Sequence, residues 1–282
     1  MFPRIIAALS FFTRLPFWRL CNVPAKCYEK VVPLWPLAGW LTGAVMAGVF
    51  LLAIRILPAN ISIILAITAR ILLTGALHED GFADFCDGFG GGGTSRERTL
   101  TIMKDSHIGT YGVLGLIIYF LLFFLVLTSI YDVVEHLAVS RSLSIATNVF
   151  IASLFVIVDS AVKGISSAIV WFLPYARTAE TAKNRLVYSH VSIFEKLMTI
   201  VIAALPFVLF CEEDFVPVVL CAFFASATVF GMLIIWMRKR IGGYTGDCCG
   251  AMFIITELVA YITIAAMLNY LSTAELLTDI PL

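Results

Sequence analysis

Long apolar runs are the feature that most restricts how this chain can fold. The 282 residues are 61% hydrophobic and only 13% charged, which is about half the charged fraction of a soluble domain, and the mean hydropathy is +0.98. Several runs reach the roughly 20 residues that a helix needs to cross a bilayer. Backbone polar groups in lipid must be satisfied within the segment, which favours helices. The sequence therefore predicts an all-α, polytopic integral membrane bundle that forms a single domain over residues 1–282.

The apolar runs predict about seven transmembrane spans. They cover approximately residues 34–57, 61–77, 108–130, 142–173, 196–211, 215–237 and 251–271. The run at 142–173 is long for one crossing and contains Asp159 and Lys163, so it is either one tilted, broken helix or a crossing followed by a half-helix. Residues 1–20 mix arginines with apolar residues, which predicts an amphipathic helix on the membrane rather than a signal peptide.

The distribution of Lys and Arg predicts the orientation of the spans. Basic residues concentrate in the N-terminal segment and at 96–104, 177–196 and 238–240. The connectors on the other side have few of them. With seven crossings, the basic segments all fall on one side of the membrane and the connectors poor in Lys and Arg fall on the other. The positive-inside rule places the basic segments in the cytoplasm.

The segment 78–88, His-Glu-Asp-Gly-Phe-Ala-Asp-Phe-Cys-Asp-Gly, holds four carboxylates in a chain that has few. In a helix, Asp80, Asp84 and Asp87 would share one face and repel one another. A hard cation such as Mg²⁺ or Ca²⁺ removes that repulsion, and Mg²⁺ usually completes its shell with water and substrate phosphates. The alternative is a solvated acidic helix end, but the regular spacing favours a metal site.

Two glycine-rich stretches accompany the acids. Residues 90–93 are four consecutive glycines, which predict an interruption of helix and allow the backbone to approach a phosphate closely. The segment 242–250, Gly-Gly-Tyr-Thr-Gly-Asp-Cys-Cys-Gly, is a second glycine–acid motif. The predicted topology brings both motifs, together with Glu257, to one cytoplasmic face. Arg70 lies inside the second span, where it either faces this site or forms a structural ion pair.

Carboxylates, basic residues and glycine-rich backbone at a membrane face indicate metal-assisted phosphoryl transfer. The net charge is zero, which gives no basic surface for nucleic acid, and no nucleotide-binding signature of a kinase or P-loop protein is present. We predict that the catalytic residues are Asp80, Asp84 and Lys104. The residues predicted to bind the phosphate-bearing ligand are Arg177, Arg240, Gly243 and Gly246. The predicted metal ligands are Glu79, Asp80, Asp84, Asp87 and Asp247.

The acidic motif at 78–88 resembles the signature of the cobalamin synthase (adenosylcobinamide-GDP ribazoletransferase) family. Four further segments agree in order: 11–16, 103–106 with Gly109 and Gly112, 173–177, and 242–247 with Gly250, Ala251 and Glu257. The resemblance implies a Mg²⁺-dependent enzyme of the bacterial inner membrane. It implies that α-ribazole, or its 5′-phosphate, attacks the cobinamide-bound phosphate of adenosylcobinamide-GDP and that GMP leaves. Oligomers are compatible with this interpretation.

Two other interpretations remain. A phosphotransferase of the CDP-alcohol type also sets phased aspartates at a membrane face, but its usual Ala-Arg pair between the aspartates is missing here. A cation or metabolite transporter would use the acids as ligands of the transported ion, but such sites tend to lie near the middle of the bilayer.

The seven cysteines fit no zinc pattern and are expected to behave as small apolar residues.

Overall fold

A computed structural model describes residues 1–140, 147–177 and 191–278. The predicted basic loop at 178–190, the first part of the fourth apolar run at 142–146 and the end of the acidic tail at 279–282 lie outside these residues. The helices are α1 (Phe2–Phe12), α2 (Ala25–Tyr28), α3 (Trp35–Ala53), α4 (Ala59–Thr74), α5 (Leu77–Gly91), α6 (Arg96–Ile102), α7 (Thr110–Ser140), α8 (Thr147–Ser167), α9 (Ile169–Phe172), α10 (Ile193–Phe210), α11 (Val216–Ile241) and α12 (Gly246–Thr278).

Among the described residues, six helical segments are long and apolar enough to cross a membrane, and the α4–α5 pair makes a seventh if it counts as one span. This confirms the polytopic helical bundle. The long apolar run at 142–173 contributes one such segment within its described part, Thr147–Phe172, with a short break at Ala168 between α8 and α9. The N-terminal helix is shorter than predicted. It ends at Phe12, shortly before Pro16, which disfavours continued helix in the residue that precedes it.

The α4–α5 corner places the acidic motif across the bundle. Gly75 and Ala76 both adopt left-handed conformations, with φ values of 67° and 59°, and α5 leaves α4 at 87°. A Cβ atom on Gly75 would lie 2.2 Å from the Arg14 side chain, so the corner is built against the N-terminal segment. The second predicted span therefore stops at Thr74, and the motif runs across the end of the bundle instead of continuing through it.

The prediction that the glycine run interrupts the helix is wrong for its first part, because α5 continues to Gly91. A Cβ atom on Gly88 would lie 2.3 Å from the Met103 side chain, and one on Gly90 would lie 2.6 Å from the Tyr111 ring. These close approaches require glycine. Tertiary packing thus overrides the low helix propensity of glycine at these positions.

Among the described residues, one buried ion pair joins two spans and another lies within a single helix. The Arg70 guanidinium pairs with Glu257 and donates to Tyr119 Oη at 2.8 Å. All three side chains are 1% exposed. Arg70 is therefore a structural ion-pair residue, which decides between the two roles that its sequence position allowed. The second pair joins Lys163 to Asp159 within α8.

Candidate active site

A cavity of about 190 Å³ opens where six parts of the chain meet. Its lining comes from the end of α1, the start of α3, the start of α5, the end of α8, the loop 173–177 and the start of α12. The two glycine–acid motifs, which are far apart in sequence, therefore contribute to one cavity. Its lining residues are Phe11, Phe12, Trp35, Leu77, His78, Asp80, Gly81, Lys163, Ser166, Tyr175, Arg177, Thr245, Gly246, Asp247, Cys249, Gly250 and Phe253.

A glycine-to-glycine crossing brings the two motifs together. A Cβ atom on Gly81 of α5 would lie 3.1 Å from Asp247 Cα, and one on Gly250 of α12 would lie 2.9 Å from the His78 carbonyl oxygen. Larger residues would hold the two helices apart. The crossing lies next to Asp80, so close packing of backbone on backbone fixes the distance between the two acidic segments.

The outer part of the cavity, which we call the rim, consists of Asp80, Arg177, Gly246 and Asp247. Asp80 and Gly246 are exposed, Arg177 is half-buried and Asp247 is buried, with 9% of its surface exposed. The Arg177 Nη2 donates to the Leu100 carbonyl oxygen at 2.8 Å, whereas its Nε has no hydrogen-bond partner among the described residues. The rim thus combines two carboxylates, a guanidinium and an unobstructed glycine at the start of α12.

Tyr175 lines the cavity beside the rim, and its loop packs against the segment that contains Gly243. The Tyr244 amide donates to the Pro174 carbonyl oxygen at 3.0 Å, and the Ala176 amide donates to the Tyr244 carbonyl oxygen at 2.8 Å. A Cβ atom on Gly243 would lie 2.2 Å from the Pro174 oxygen, so Gly243 allows this contact rather than facing the cavity. Burial raises the pKa of the Tyr175 phenol, which keeps the hydroxyl protonated and able to donate.

The inner part of the cavity, which we call the floor, carries His78, Lys163 and Ser166, each at most 4% exposed. The His78 ring lies between Phe12, at a centroid distance of 5.7 Å, and Phe253, at 4.3 Å. Lys163 and Ser166 lie one turn apart on α8, so they share one face.

The predicted site residues divide into those at the cavity and those outside it. Asp80, Arg177, Gly246 and Asp247 line it. Asp84 lies one turn after Asp80 on α5 and is half-buried, and Lys104 is exposed in the turn after α6. Arg240 donates to Thr99 Oγ1 and to the Phe89 carbonyl oxygen, each at 3.2 Å. Arg240 therefore connects α11 to the end of α5 and to the middle of α6.

Asp87 and Glu79 have contrasting surroundings. Asp87 accepts hydrogen bonds from the amides of Gly109 at 2.7 Å and Gly112 at 2.9 Å, so both carboxylate oxygens hold the N-terminus of α7, where the helix dipole favours negative charge. Glu79 is 4% exposed, and neither of its carboxylate oxygens has a hydrogen-bond partner among the described residues. Within the described part of the chain, no three acidic, histidine or cysteine side chains are gathered as a metal-binding group.

Several cavity residues were not among the predicted site residues. Phe11 and Phe12 belong to the segment 11–16, and Tyr175 to 173–177, both of which carried the family resemblance, so a signal existed. Lys163 and Ser166 had no such signal. A lysine inside an apolar run predicts a buried partner, but only the packing of α8 against α12 shows that this lysine also borders a cavity.

Comparison with known proteins gives a consistent result. A family model described as cobalamin-5-phosphate synthase matches residues 4–265. The chain is 34% identical to the adenosylcobinamide-GDP ribazoletransferase of Shewanella baltica, covering 94% of this chain and 95% of that one. It is 31% identical to the enzyme of the same name from Vibrio cholerae, covering 94% of each chain. No solved structure matches the chain. The family resemblance deduced from the motifs is confirmed.

Proposed function

The chain belongs to the cobalamin-5-phosphate synthase family, and we propose from this premise that it transfers the cobinamide-bound phosphate of adenosylcobinamide-GDP to α-ribazole or its 5′-phosphate. A hydroxyl oxygen of α-ribazole forms a bond to the phosphorus that carries cobinamide. The bond from that phosphorus to the oxygen of GMP breaks, and the hydroxyl proton passes to a base. The products are adenosylcobalamin, or its 5′-phosphate, and GMP.

The observation that carries this proposal is the meeting of Asp80 and Asp247 at one cavity beside Arg177. The substrate presents a pyrophosphate linkage, and charge builds up on the leaving GMP as the bond breaks. A guanidinium at the rim can donate to phosphate oxygens in a fixed, planar geometry. Gly246 adds the start of α12, where free backbone amides favour an anion. The cavity therefore has groups suited to each part of the phosphate linkage.

We further propose that Mg²⁺ is the cofactor. The donor set fits this ion, because Mg²⁺ is usually held by one or two carboxylates plus water and substrate phosphates rather than by a closed protein cage. Asp80 and Asp247 supply such a pair. A cation nearby would also offset the cost of burying the Glu79 carboxylate, whose oxygens have no hydrogen-bond partner in the described part of the chain. Bound Mg²⁺ would stabilise the charge that develops on the phosphate oxygens.

The remaining predicted residues receive roles that follow from their contacts. Asp84 is proposed as the base that accepts the hydroxyl proton, because it lies beside the rim without being part of it. Lys104, exposed near the end of α5, is proposed to attract the anionic substrate. Asp87 and Arg240 position α5, since their polar groups already bind backbone groups of neighbouring elements.

The cavity is proposed to face the cytoplasm of a bacterial inner membrane. Arg96 donates to the carbonyl oxygens of Ile241 and Ala176, and Arg238 donates to that of Phe172. These basic residues lie at the cavity end of the bundle, where the positive-inside rule expects the cytoplasm. Protease accessibility of a tag at the C-terminus tests this orientation, because seven crossings place that end on the opposite side.

The direct test of the reaction is GMP release from adenosylcobinamide-GDP by protein purified in detergent, with and without α-ribazole and Mg²⁺. We expect release that needs both. Release without α-ribazole would indicate a hydrolase. A well-folded sample that releases no GMP would contradict the proposal and favour the CDP-alcohol type of transferase.

A further inference from the structure

The floor of the cavity holds polar groups that the proposed reaction leaves unused. His78 Nε2 and Ser166 Oγ have no hydrogen-bond partner among the described residues, although their side chains are 4% and 1% exposed. Buried polar atoms are almost always hydrogen-bonded in folded proteins. A ligand that reaches the floor and pairs with these atoms would therefore gain the full value of those hydrogen bonds.

The charge on the floor is balanced. The Lys163 ammonium pairs with Asp159 and donates to Thr42 Oγ1 at 3.2 Å. It also lies 4.1 Å from the centroid of the Phe253 ring. A cation whose charge is already matched by a buried carboxylate offers little to a phosphate. The floor therefore suits a neutral polar group, whereas the rim suits phosphates and a metal ion.

Aromatic rings form the walls of this inner part. Phe12 packs edge-on against Trp35 at a centroid distance of 5.4 Å and stacks on His78 with an interplanar angle of 16°. Such surfaces favour flat, apolar rings. A ligand with a flat base and several neutral hydroxyl groups matches both the walls and the floor, and that is the chemistry of a nucleoside.

We propose that the floor is the subsite for the nucleoside acceptor. Its base packs against the aromatic wall, and the part of its ribose that does not attack the phosphate hydrogen-bonds through a hydroxyl to Ser166 and His78. This assignment rests on the proposed function, because it takes α-ribazole as the acceptor. It orders the two substrates in space: the nucleoside lies inside the bundle, and the phosphates of adenosylcobinamide-GDP lie at the rim with the carboxylates.

Two neighbouring serines of α8 supply a matched test. Ser166→Ala removes the hydroxyl that faces the cavity. Ser167→Ala is the control, because Ser167 is fully buried, donates to the Gly164 carbonyl oxygen of its own helix at 2.7 Å and does not belong to the lining formed by the described residues. Calorimetry on protein in detergent would measure the affinity for α-ribazole alone and, separately, for adenosylcobinamide-GDP with Mg²⁺.

Loss of one neutral hydrogen bond weakens binding by about five- to tenfold. We expect that Ser166→Ala lowers the affinity for α-ribazole by this factor and leaves the affinity for adenosylcobinamide-GDP unchanged, while Ser167→Ala changes neither. The 2′-deoxy and 3′-deoxy forms of α-ribazole should bind wild-type protein more weakly than α-ribazole does. For at least one of these two ligands, the Ser166→Ala variant should show no further loss of affinity relative to wild-type protein.

Three outcomes would overturn the assignment. Equal α-ribazole affinity in both serine variants would remove Ser166 from the subsite, and a loss confined to adenosylcobinamide-GDP would assign the floor to the donor. In either case, wild-type protein that still releases GMP would leave the proposed reaction intact. Wild-type protein that neither binds α-ribazole nor releases GMP would refute the proposed function, and the subsite with it.

Discussion

Gly250→Ala tests whether the crossing of α5 and α12 sets the geometry of the site. A Cβ atom at this position would lie 2.9 Å from the His78 carbonyl oxygen and 3.3 Å from Gly81 Cα. Because carbon atoms pack at about 3.5–4.0 Å, the contact with Gly81 Cα requires the helices to separate by roughly 0.2–0.7 Å. A displacement of about 1 Å at a catalytic site can cost about 100-fold in rate. The movement would carry Asp80 away from Asp247.

The effect on stability should be smaller than the effect on rate. Overpacking costs about 1–3 kcal/mol, and replacing a helical glycine by alanine returns about 1 kcal/mol. We therefore expect Gly250→Ala to unfold at a slightly lower temperature and to release GMP about 10- to 100-fold more slowly, because the crossing is displaced but not destroyed.

Gly48→Ala is the matched control for this experiment. Gly48 is also helical and is exposed on α3, and a Cβ atom there would meet nothing within 4 Å. Both variants would be compared with wild-type protein by GMP release and by thermal unfolding in the same detergent. If Gly250→Ala turns over as fast as Gly48→Ala, the close crossing is not needed and the reasoning fails.

Three further predictions concern single acidic residues. Asp84→Asn should abolish GMP release while membrane insertion is retained; wild-type turnover would remove Asp84 from the site. Glu257→Gln leaves the Arg70 charge buried without its carboxylate and should destabilise the protein by about 3–5 kcal/mol, measured by thermal unfolding in detergent; an unchanged unfolding temperature would show that the pair is not important for stability. Asp87→Asn weakens two charge-assisted hydrogen bonds and should destabilise by about 2 kcal/mol without changing the Mg²⁺ concentration that gives half-maximal activity; a large rise in that concentration would make Asp87 a metal ligand after all.

The membrane spans could be predicted from the sequence, because lipid restricts which segments can cross a membrane. A segment that crosses must be long, apolar and helical, and Thr110–Ala138 or Glu213–Ile241 satisfies this rule by composition alone. The role of Arg70 could not be predicted from the sequence, because its partner Glu257 is 187 residues away in the chain. Only packing decides which buried acid meets which buried base.

The corner at Gly75 and Ala76 shows a second limit of sequence-based prediction. Helix periodicity gave the correct structure for the acidic motif but not its direction, because the 87° turn depends on two left-handed residues, one of them an alanine that rarely adopts that conformation. The same limit applies to the glycines of α5. Their low helix propensity was visible in the sequence, whereas their contacts with Met103 and Tyr111 depend on the folded protein.

The convergence of the two glycine–acid motifs was predictable, because positive-inside topology placed them on one side of the membrane. Which acids meet was not. Asp80 and Asp247 line the cavity, whereas Asp87, which has the same helical phase as Asp80, binds the start of α7. Helical spacing shows which residues share a face, but neighbouring helices determine what each part of that face contacts.

Metal binding by Asp80 and Asp247 together is the central claim, and Mn²⁺ can report on it by electron paramagnetic resonance. The titration would use purified protein with adenosylcobinamide-GDP present, comparing wild type, Asp80→Asn, Asp247→Asn and the control Asp105→Asn, which changes an exposed acid outside the described lining of the cavity. We predict that the first two variants each bind Mn²⁺ at least about tenfold more weakly, a loss of roughly 1.4 kcal/mol, and that the control binds as wild type does. Unchanged Mn²⁺ affinity in Asp247→Asn would contradict the claim that the two motifs share one metal site.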